Sequence, residues 1–175
     1  MKFQVRYKEK KHFVGMVLVS LVFYVSILDC VFGKPMQEQF SIIFDLSESR
    51  REELHQLYQK MWWANTRTRS DVDSILEHSL AIGLIDTRND TLIGFARIVS
   101  DHFKYAFVFD VLLEESYRGT GLGKVLMEAV LNHPALKRVT VFELHCLEDK
   151  APFYKKFGFK EDFENLKALR LKRTV

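Results

Sequence analysis

Apolar and polar positions along this chain repeat with two different periods, and the switches between them mark out the elements. Residues 40–44 form a short apolar run with the β-branched pair Ile42 and Ile43, which reads as a strand. Leu54, Leu57, Tyr58, Met61 and Trp62 then recur at helical spacing and predict a helix with one buried face. Ser49-Arg50-Arg51-Glu52 fits a capping box at its start, serine and glutamate each satisfying an end amide. A second helix is expected to open at Ser70-Asp71-Val72-Asp73, with Val72, Ile75 and Leu76 turned inward. Residues 81–86 and 91–100 read as strands, and the turn-rich linker Thr87-Arg88-Asn89-Asp90 makes them a hairpin.

Residues 103–113, aromatic and β-branched along their length, predict a further strand. Leu122, Val125, Leu126, Ala129 and Val130 restore the helical period until His133-Pro134 stops it. Residues 139–146 are strand again. Asp149 can cap a short helix through Lys156, with Gly158 as its left-handed end. Phe159 starts another extended piece, and residues 168–172 fit a final strand. Strand, two helices, three strands, helix, strand, helix, strand is the order of an α/β protein with a mixed sheet.

The N-terminus follows a different pattern. Lys2, Arg6, Lys8, Lys10 and Lys11 precede an apolar run over residues 13–28, followed by Asp29, Cys30, Val31, Phe32 and Gly33. A basic region before an apolar stretch is the pattern of a signal peptide or signal anchor. A spanning helix needs roughly 20 apolar residues, so residues 13–33 reach that length only with 29–32 included. The first expectation is a single-pass membrane anchor. A cleaved signal ending at Gly33, giving a secreted protein, and a true start at Met36, giving a cytoplasmic one, are the alternatives. The basic residues would keep the N-terminus inside and place the domain across the membrane. The organisation expected is therefore an N-terminal segment over 1–35 and a compact domain over 36–175.

The chain of 175 residues is long enough for one sizeable core, and 47% hydrophobic with 28% charged residues is ordinary for a globular protein. Much of its net charge of +3 sits in the N-terminal segment. No basic surface then remains to argue for a nucleic-acid partner. The two cysteines, Cys30 and Cys146, make neither a disulfide framework nor a metal site. No His/Cys/Asp cluster has ligand spacing, so no metal is expected.

The segment with chemistry in it is Arg118-Gly119-Thr120-Gly121-Leu122-Gly123-Lys124, lying between a strand and a helix. The first turn of a helix has free amides and a partial positive charge, which suits phosphate. Glycines let an anion approach those amides. A P-loop would need glycine at 118 and Ser or Thr at 125, where Arg118 and Val125 stand. The dinucleotide fingerprint starting at Gly119 would need glycine where Lys124 stands.

Arg118-x-x-Gly121-x-Gly123 does fit the R/Q-x-x-G-x-G/A pattern of the GNAT superfamily of N-acetyltransferases. The chain also resembles small bacterial-type members of that superfamily at Trp63-Ala64, Ile93-Gly94-Phe95-Ala96-Arg97, Asp110-Val111, Tyr117-Arg118-Gly119 and Phe153-Tyr154-Lys155-Lys156-Phe157-Gly158-Phe159. The resemblance implies an α/β fold with a mixed, mostly antiparallel sheet, about four helices and splayed central strands. It implies acetyl-CoA as co-substrate, its pyrophosphate on the amides from Arg118 to Lys124, with Gly119, Thr120, Gly121, Leu122 and Gly123 between them. The pantetheine arm would run beside Val111, Leu112 and Leu113, where a backbone amide polarises the thioester carbonyl.

The same resemblance implies direct attack by a primary amine, from a small molecule or a peptide. Tyr154 occupies the position of the tyrosine acid that protonates the leaving thiolate, with a phenol pKa of ~10 against ~8.5 for a thiol. The base is open between Asp110, Glu143, His145 and water alone. Asp110 can instead bind the acceptor or pair with a neighbour such as Arg97. Trp63 and Arg97 are candidate acceptor-binding residues, and Arg67 and Arg69 would favour an anionic group on the acceptor. An acyl-CoA-binding module without turnover and a membrane-tethered interaction domain are the competing readings.

Overall fold

A computed structural model describes residues 39–161 and 169–173. The apolar segment over residues 13–33 lies outside them. Among the described residues no helix is long and apolar enough to cross a membrane. The elements follow in the order β1 (Phe40–Ile43), α1 (Glu48–Gln59), α2 (Arg69–Glu77), β2 (Leu80–Asp86), β3 (Thr91–Ser100), β4 (Tyr105–Leu113), α3 (Leu122–Leu131), β5 (Val141–Leu144) and α4 (Ala151–Lys155). They form one mixed α/β unit whose sheet order is β1-β2-β3-β4-β5. The first three pairings are antiparallel and β4 with β5 is parallel.

Alternation along the strands sends side chains to two cores. Ile82, Leu84, Ile93, Ala96, Ile98, Ala106 and Val108 face α3, which buries Leu122, Leu126, Met127, Ala129 and Val130 against them. Ile85, Leu92, Phe95 and Leu112 face the other way, onto Leu54, Leu57 and Tyr58 of α1 and Val72 of α2. Two glycines on neighbouring strands, Gly83 and Gly94, leave no room for a side chain. A methyl at Gly83 would stand 2.8 Å from Ile43.

Four expectations are corrected. The capping box is not at Ser49: α1 begins at Glu48 after Ser47, whose side chain makes no capping hydrogen bond. The reciprocal box belongs to α2, between Thr68 and Asp71, so that helix opens at Arg69 rather than Ser70. Trp62, expected on the buried face of α1, is 73% exposed. The helix has ended at Gln59, and the i, i+4 rule no longer applies to it. Residues 169–173 are not strand, and residue 168 lies outside the described part, so β5 is the last strand described.

One irregularity positions everything that follows. Phe95 pairs with Leu112 and Arg97 with Phe109, so Ala96 stands opposite two residues, Asp110 and Val111. This is a β-bulge, and its first residue, Asp110, adopts φ 50°. The pairing of β4 with β5 ends at Val108 and Leu144, two residues before the bulge. Beyond that point β4 continues to Leu113 with no strand partner on its β5 side among the described residues, which opens a slot between the central strands.

Candidate active site

The slot leads to the turn before α3. Gly119 and Gly121 have φ values of 78° and 90°, left-handed backbone that L side chains adopt only at a cost. Nothing lies within 4 Å of where a Cβ would be at either position. Gly121 is the N-cap of α3 and the carbonyl of Gly121 accepts from the amides of Lys124 and Val125. The amides of Gly119, Thr120, Gly121, Leu122 and Gly123 donate to no acceptor among the described residues. Five free donors in one exposed turn at the positive end of a helix form an anion cradle. Gly123 has a second task, since a Cβ there would meet the Phe153 ring of α4 at 3.4 Å.

The turn is held from behind. Arg118 donates from Nε to the carbonyl of Leu113 at 3.3 Å, closing the loop from the end of β4. Thr120 Oγ1 donates to the carbonyl of Tyr117 at 2.6 Å. Tyr117 in turn donates its hydroxyl to Asp86, the last residue of β2, which is 1% exposed. Sequence reasoning missed Asp86 because its link to the turn, Tyr117, lies 31 residues on. Lys124 points outward and pairs with Glu128 at 3.7 Å. Leu122 is buried in the α3 core, so only its backbone is free for a ligand.

On the α1 side of the sheet, the bulge turns Asp110 into a cluster that local sequence did not reveal. Its carboxylate accepts from Arg97 Nε at 2.6 Å, Arg67 Nη1 at 3.0 Å and Tyr58 Oη at 3.0 Å on one oxygen, and from Arg67 Nη2 at 3.2 Å on the other. Burial would raise its pKa, but the hydrogen bonds and charges of Arg67 and Arg97 outweigh burial and hold it below the ordinary carboxylate value. Tyr58 moves the other way: burial, then the neighbouring carboxylate, push its hydroxyl far above a free phenol.

Trp63, 40% exposed, joins this cluster at the edge. Its ring stands at 82° to that of Tyr58, and Arg67 lies over it at 5.4 Å. Arg67 therefore sits inside the cluster as its main partner. Arg69 does not: Glu48, Glu52 and Asp73 engage it, stitching α1 to α2. Glu143 of β5 stands opposite Phe107, and His145 lies against the same ring with centroids 4.8 Å apart. The His145 Nδ1 is 2.9 Å from Arg170. Neither Glu143 nor His145 has a hydrogen bond to the Asp110 cluster.

Tyr154 occupies α4, with its ring against Phe153 and Phe159 at 5.0 and 6.2 Å. Its hydroxyl has no hydrogen-bond partner among the described residues. Burial, reinforced by the Cys146 thiol, raises its pKa to about 12. A cavity of about 930 Å³ opens between α4 and the outer edge of β5, and Tyr154, Phe142, Leu144 and Cys146 line it. Residues 118–124 and Val111, Leu112 and Leu113 do not line that cavity. Among the described residues no group of three or more His, Cys, Asp or Glu is placed to hold a metal ion.

A splayed sheet with a free-amide turn at the head of the following helix defines an acyl-CoA-dependent transferase. Residues 43–159 match the acetyltransferase (GNAT) family, and the chain belongs to it. An uncharacterised N-acetyltransferase, ycf52, of Porphyra purpurea is 32% identical over 120 residues, covering 67% of this chain and 68% of that one. The crystal structure of a putative GNAT-family acetyltransferase from Xanthomonas campestris superposes with a TM-score of 0.64 at 28% identity, over 78% of this chain and 93% of that one. The fold is shared also with AAC(6')-Iy, solved with a CoA-containing bisubstrate analogue, at a TM-score of 0.61 and 16% identity over 78% and 99% of the two chains. The family uses acetyl-CoA as co-substrate, and the enzyme is an acetyl-CoA-dependent N-acetyltransferase that acts on an amine.

Proposed function

We propose that this enzyme transfers acetyl to a primary amine by direct attack, with no acyl-enzyme intermediate. The observation that carries the reading is the set of five unpaired amides between Gly119 and Gly123, at the mouth of the slot where β4 leaves β5. Open space at Gly119 and Gly121 lets a diphosphate reach those amides without a clash. Acetyl-CoA would supply the activated acetyl group as a thioester. The unpaired edge of β4 at Val111, Leu112 and Leu113 would align it and polarise its carbonyl, as backbone donors do elsewhere.

Tyr154 is the proton donor in this reading. Its hydroxyl has no hydrogen-bond partner among the described residues, and its helix is brought to the turn by Phe153, which packs on Gly123. Asp110 is a poor base here. Its carboxylate already accepts from three side chains, and the hydrogen bonds and charges of Arg67 and Arg97, outweighing burial, favour its ionised form. We assign Asp110 to the positioning of Arg67 and Arg97, and proton removal to water or to Glu143 or His145.

Calorimetric titration of acetyl-CoA into residues 36–175, beside Arg118→Ala, tests the reading, followed by thiol release with amines. Binding that weakens in the variant and thiol release that needs an amine are expected. Absence of acetyl-CoA binding by a folded protein would overturn it. Anchoring through residues 13–33 belongs to the same proposal and rests on the basic-then-apolar order of that segment. Full-length protein extracted from membranes by carbonate would count against it.

A further inference from the structure

The Asp110 cluster has an excess of positive charge. Two guanidinium groups, Arg67 and Arg97, surround one carboxylate in a site where their side chains are only 23% and 16% exposed. Arg67 uses both terminal nitrogens on Asp110 and lies over the Tyr58 ring at 4.5 Å. Arg97 is different. It reaches Asp110 through Nε alone, and its Nη1 and Nη2 have no acceptor among the described residues. Its guanidinium is stacked at 4.5 Å on Phe109, which fixes its plane. A desolvated, pre-oriented guanidinium with its two-nitrogen end free is the geometry that binds carboxylate or phosphate side-on.

The surroundings continue the surface. Phe109 stacks with Phe107 at 4.5 Å, and Phe107 meets His145 at 4.8 Å, beside Arg170. Tyr105 and Val99, on the same sheet end, are 50% and 44% exposed. Glu143, opposite Phe107, sets a negative border on the β5 side, so an anionic group is directed to the Arg97 end. That end lies one bulge away from Val111, Leu112 and Leu113.

We propose that Arg97 is the specificity-determining residue for the acceptor, and that the acceptor is an amine with an anionic group, carboxylate or phosphate, bound by the free end of the Arg97 guanidinium. The inference rests on the acetyl-transfer reading above for where the amine must lie. Asp110 acts as the positioning residue, holding Arg97 by Nε so that the other two nitrogens face the acceptor. The positive excess also opposes protonation of the acceptor amine, which must be neutral to attack.

The test compares matched amines: γ-aminobutyrate and phosphoethanolamine against butylamine and putrescine, and lysyl peptides with glutamate or alanine beside the lysine. The small pair and the peptide pair separate a free metabolite from a polypeptide as the source of the anion. Rates of thiol release give kcat and KM for wild type, Arg97→Gln and Arg97→Lys. Calorimetry gives acceptor binding without turnover, and acetyl-CoA affinity reports the integrity of the fold.

In wild type the anionic member of a pair is expected to be favoured about tenfold or more in kcat/KM, as for a hydrogen-bonded charge. Arg97→Gln should abolish that preference through KM, the anionic member of each pair losing about tenfold more in kcat/KM than its neutral partner. Arg97→Lys should recover only part of it, because an ammonium cannot match the fork. Equal use of anionic and neutral amines would overturn the proposal, as would an equal loss for all amines in Arg97→Gln. If no amine released thiol, yet γ-aminobutyrate or phosphoethanolamine bound in an Arg97-dependent way, this inference would stand while the transferase reading failed. Absence of both would overturn it.

Discussion

Tyr117 donates its hydroxyl to Asp86 at 2.8 Å, and this bond ties the end of β2 to the residue that precedes the anion-binding turn. Arg88 completes the group through Nε at 2.9 Å and through its own amide at 3.0 Å. The hydrogen bonds from the Arg88 side chain, against the opposing effect of burial, hold the Asp86 carboxyl far below the ordinary carboxylate value. Tyr117→Phe should cost about 1 kcal/mol, the net worth of a hydrogen bond. Asp86→Ala should cost roughly 2 kcal/mol, since the Tyr117 hydroxyl and the Arg88 amide both lose their acceptor. Both should weaken acetyl-CoA binding, because the turn loses its anchor. Denaturant melts beside calorimetric titration check this. An unchanged affinity in Asp86→Ala would mean that the turn holds its shape alone. The folded pKa is depressed, so the stabilisation is present above the unfolded value of ~3.9 and is lost as pH falls below it.

Gly121→Ala isolates backbone conformation from packing. At φ 90° with no atom within 4 Å of the new methyl, there is no clash, so the penalty is that of left-handed backbone, about 1–2 kcal/mol. The methyl would also stand among the free amides. A lower Tm with weaker acetyl-CoA binding is the expected pair of changes, read by thermal melts with and without ligand. Loss of stability with full affinity would place the diphosphate elsewhere.

Asp110→Asn tests whether the bulge carboxylate organises charge or moves protons. Asparagine tolerates φ 50°, so the backbone should persist. The two arginines would then face each other without compensation, at a cost of roughly 3 kcal/mol. In a positioning role, the variant raises KM for the acceptor more than it lowers kcat, and the shape of the pH–rate profile is kept. Disappearance of the lower limb of that profile would instead identify Asp110 as the base. The folded pKa is again depressed, so this group too withdraws its stabilisation as pH falls below the unfolded value of ~3.9.

Tyr154→Phe should lower kcat by about 10²-fold or more while acetyl-CoA affinity is retained, as for loss of a general acid. Stopped-flow thiol release and calorimetry separate the two quantities. Burial raises the folded pKa to about 12, against ~10 in the unfolded chain. Stability from this group is therefore complete below pH ~10 and is lost as pH rises from there through the folded value. Alkaline melts should show a smaller loss over that interval in Tyr154→Phe than in wild type.

How much of this was legible in the sequence depended on the range of the interaction concerned. The strands of β2, β3 and β4 and the helix α3 were each predicted to within a few residues, because period and turn chemistry are written locally. The anion-binding turn was legible for the same reason: spacing of Arg118, Gly121 and Gly123 needs only a strand before it and a helix after it. Local reading failed where two caps competed. Ser47 and Ser49 both stand near the start of α1, and Thr68 and Ser70 near the start of α2. Which residue takes extended backbone is decided by how the helix docks.

The acceptor side was not written locally at all. Asp110 meets Tyr58 and Arg67 across 52 and 43 residues of chain, and Asp86 meets Tyr117 across 31. No period or motif links such pairs. The bulge at Asp110 arises from the mismatch of two strands, Ala96 facing two residues, and neither strand alone shows it. The sequence by itself determined the order of the elements from β1 to α4, the family and the glycine turn before α3, since each is a statement about neighbours along the chain. Only the tertiary structure decided that Asp110 is committed to Arg67, Arg97 and Tyr58 and that Arg97 keeps a free end, because burial and pairing of charge exist only once distant segments have been brought together.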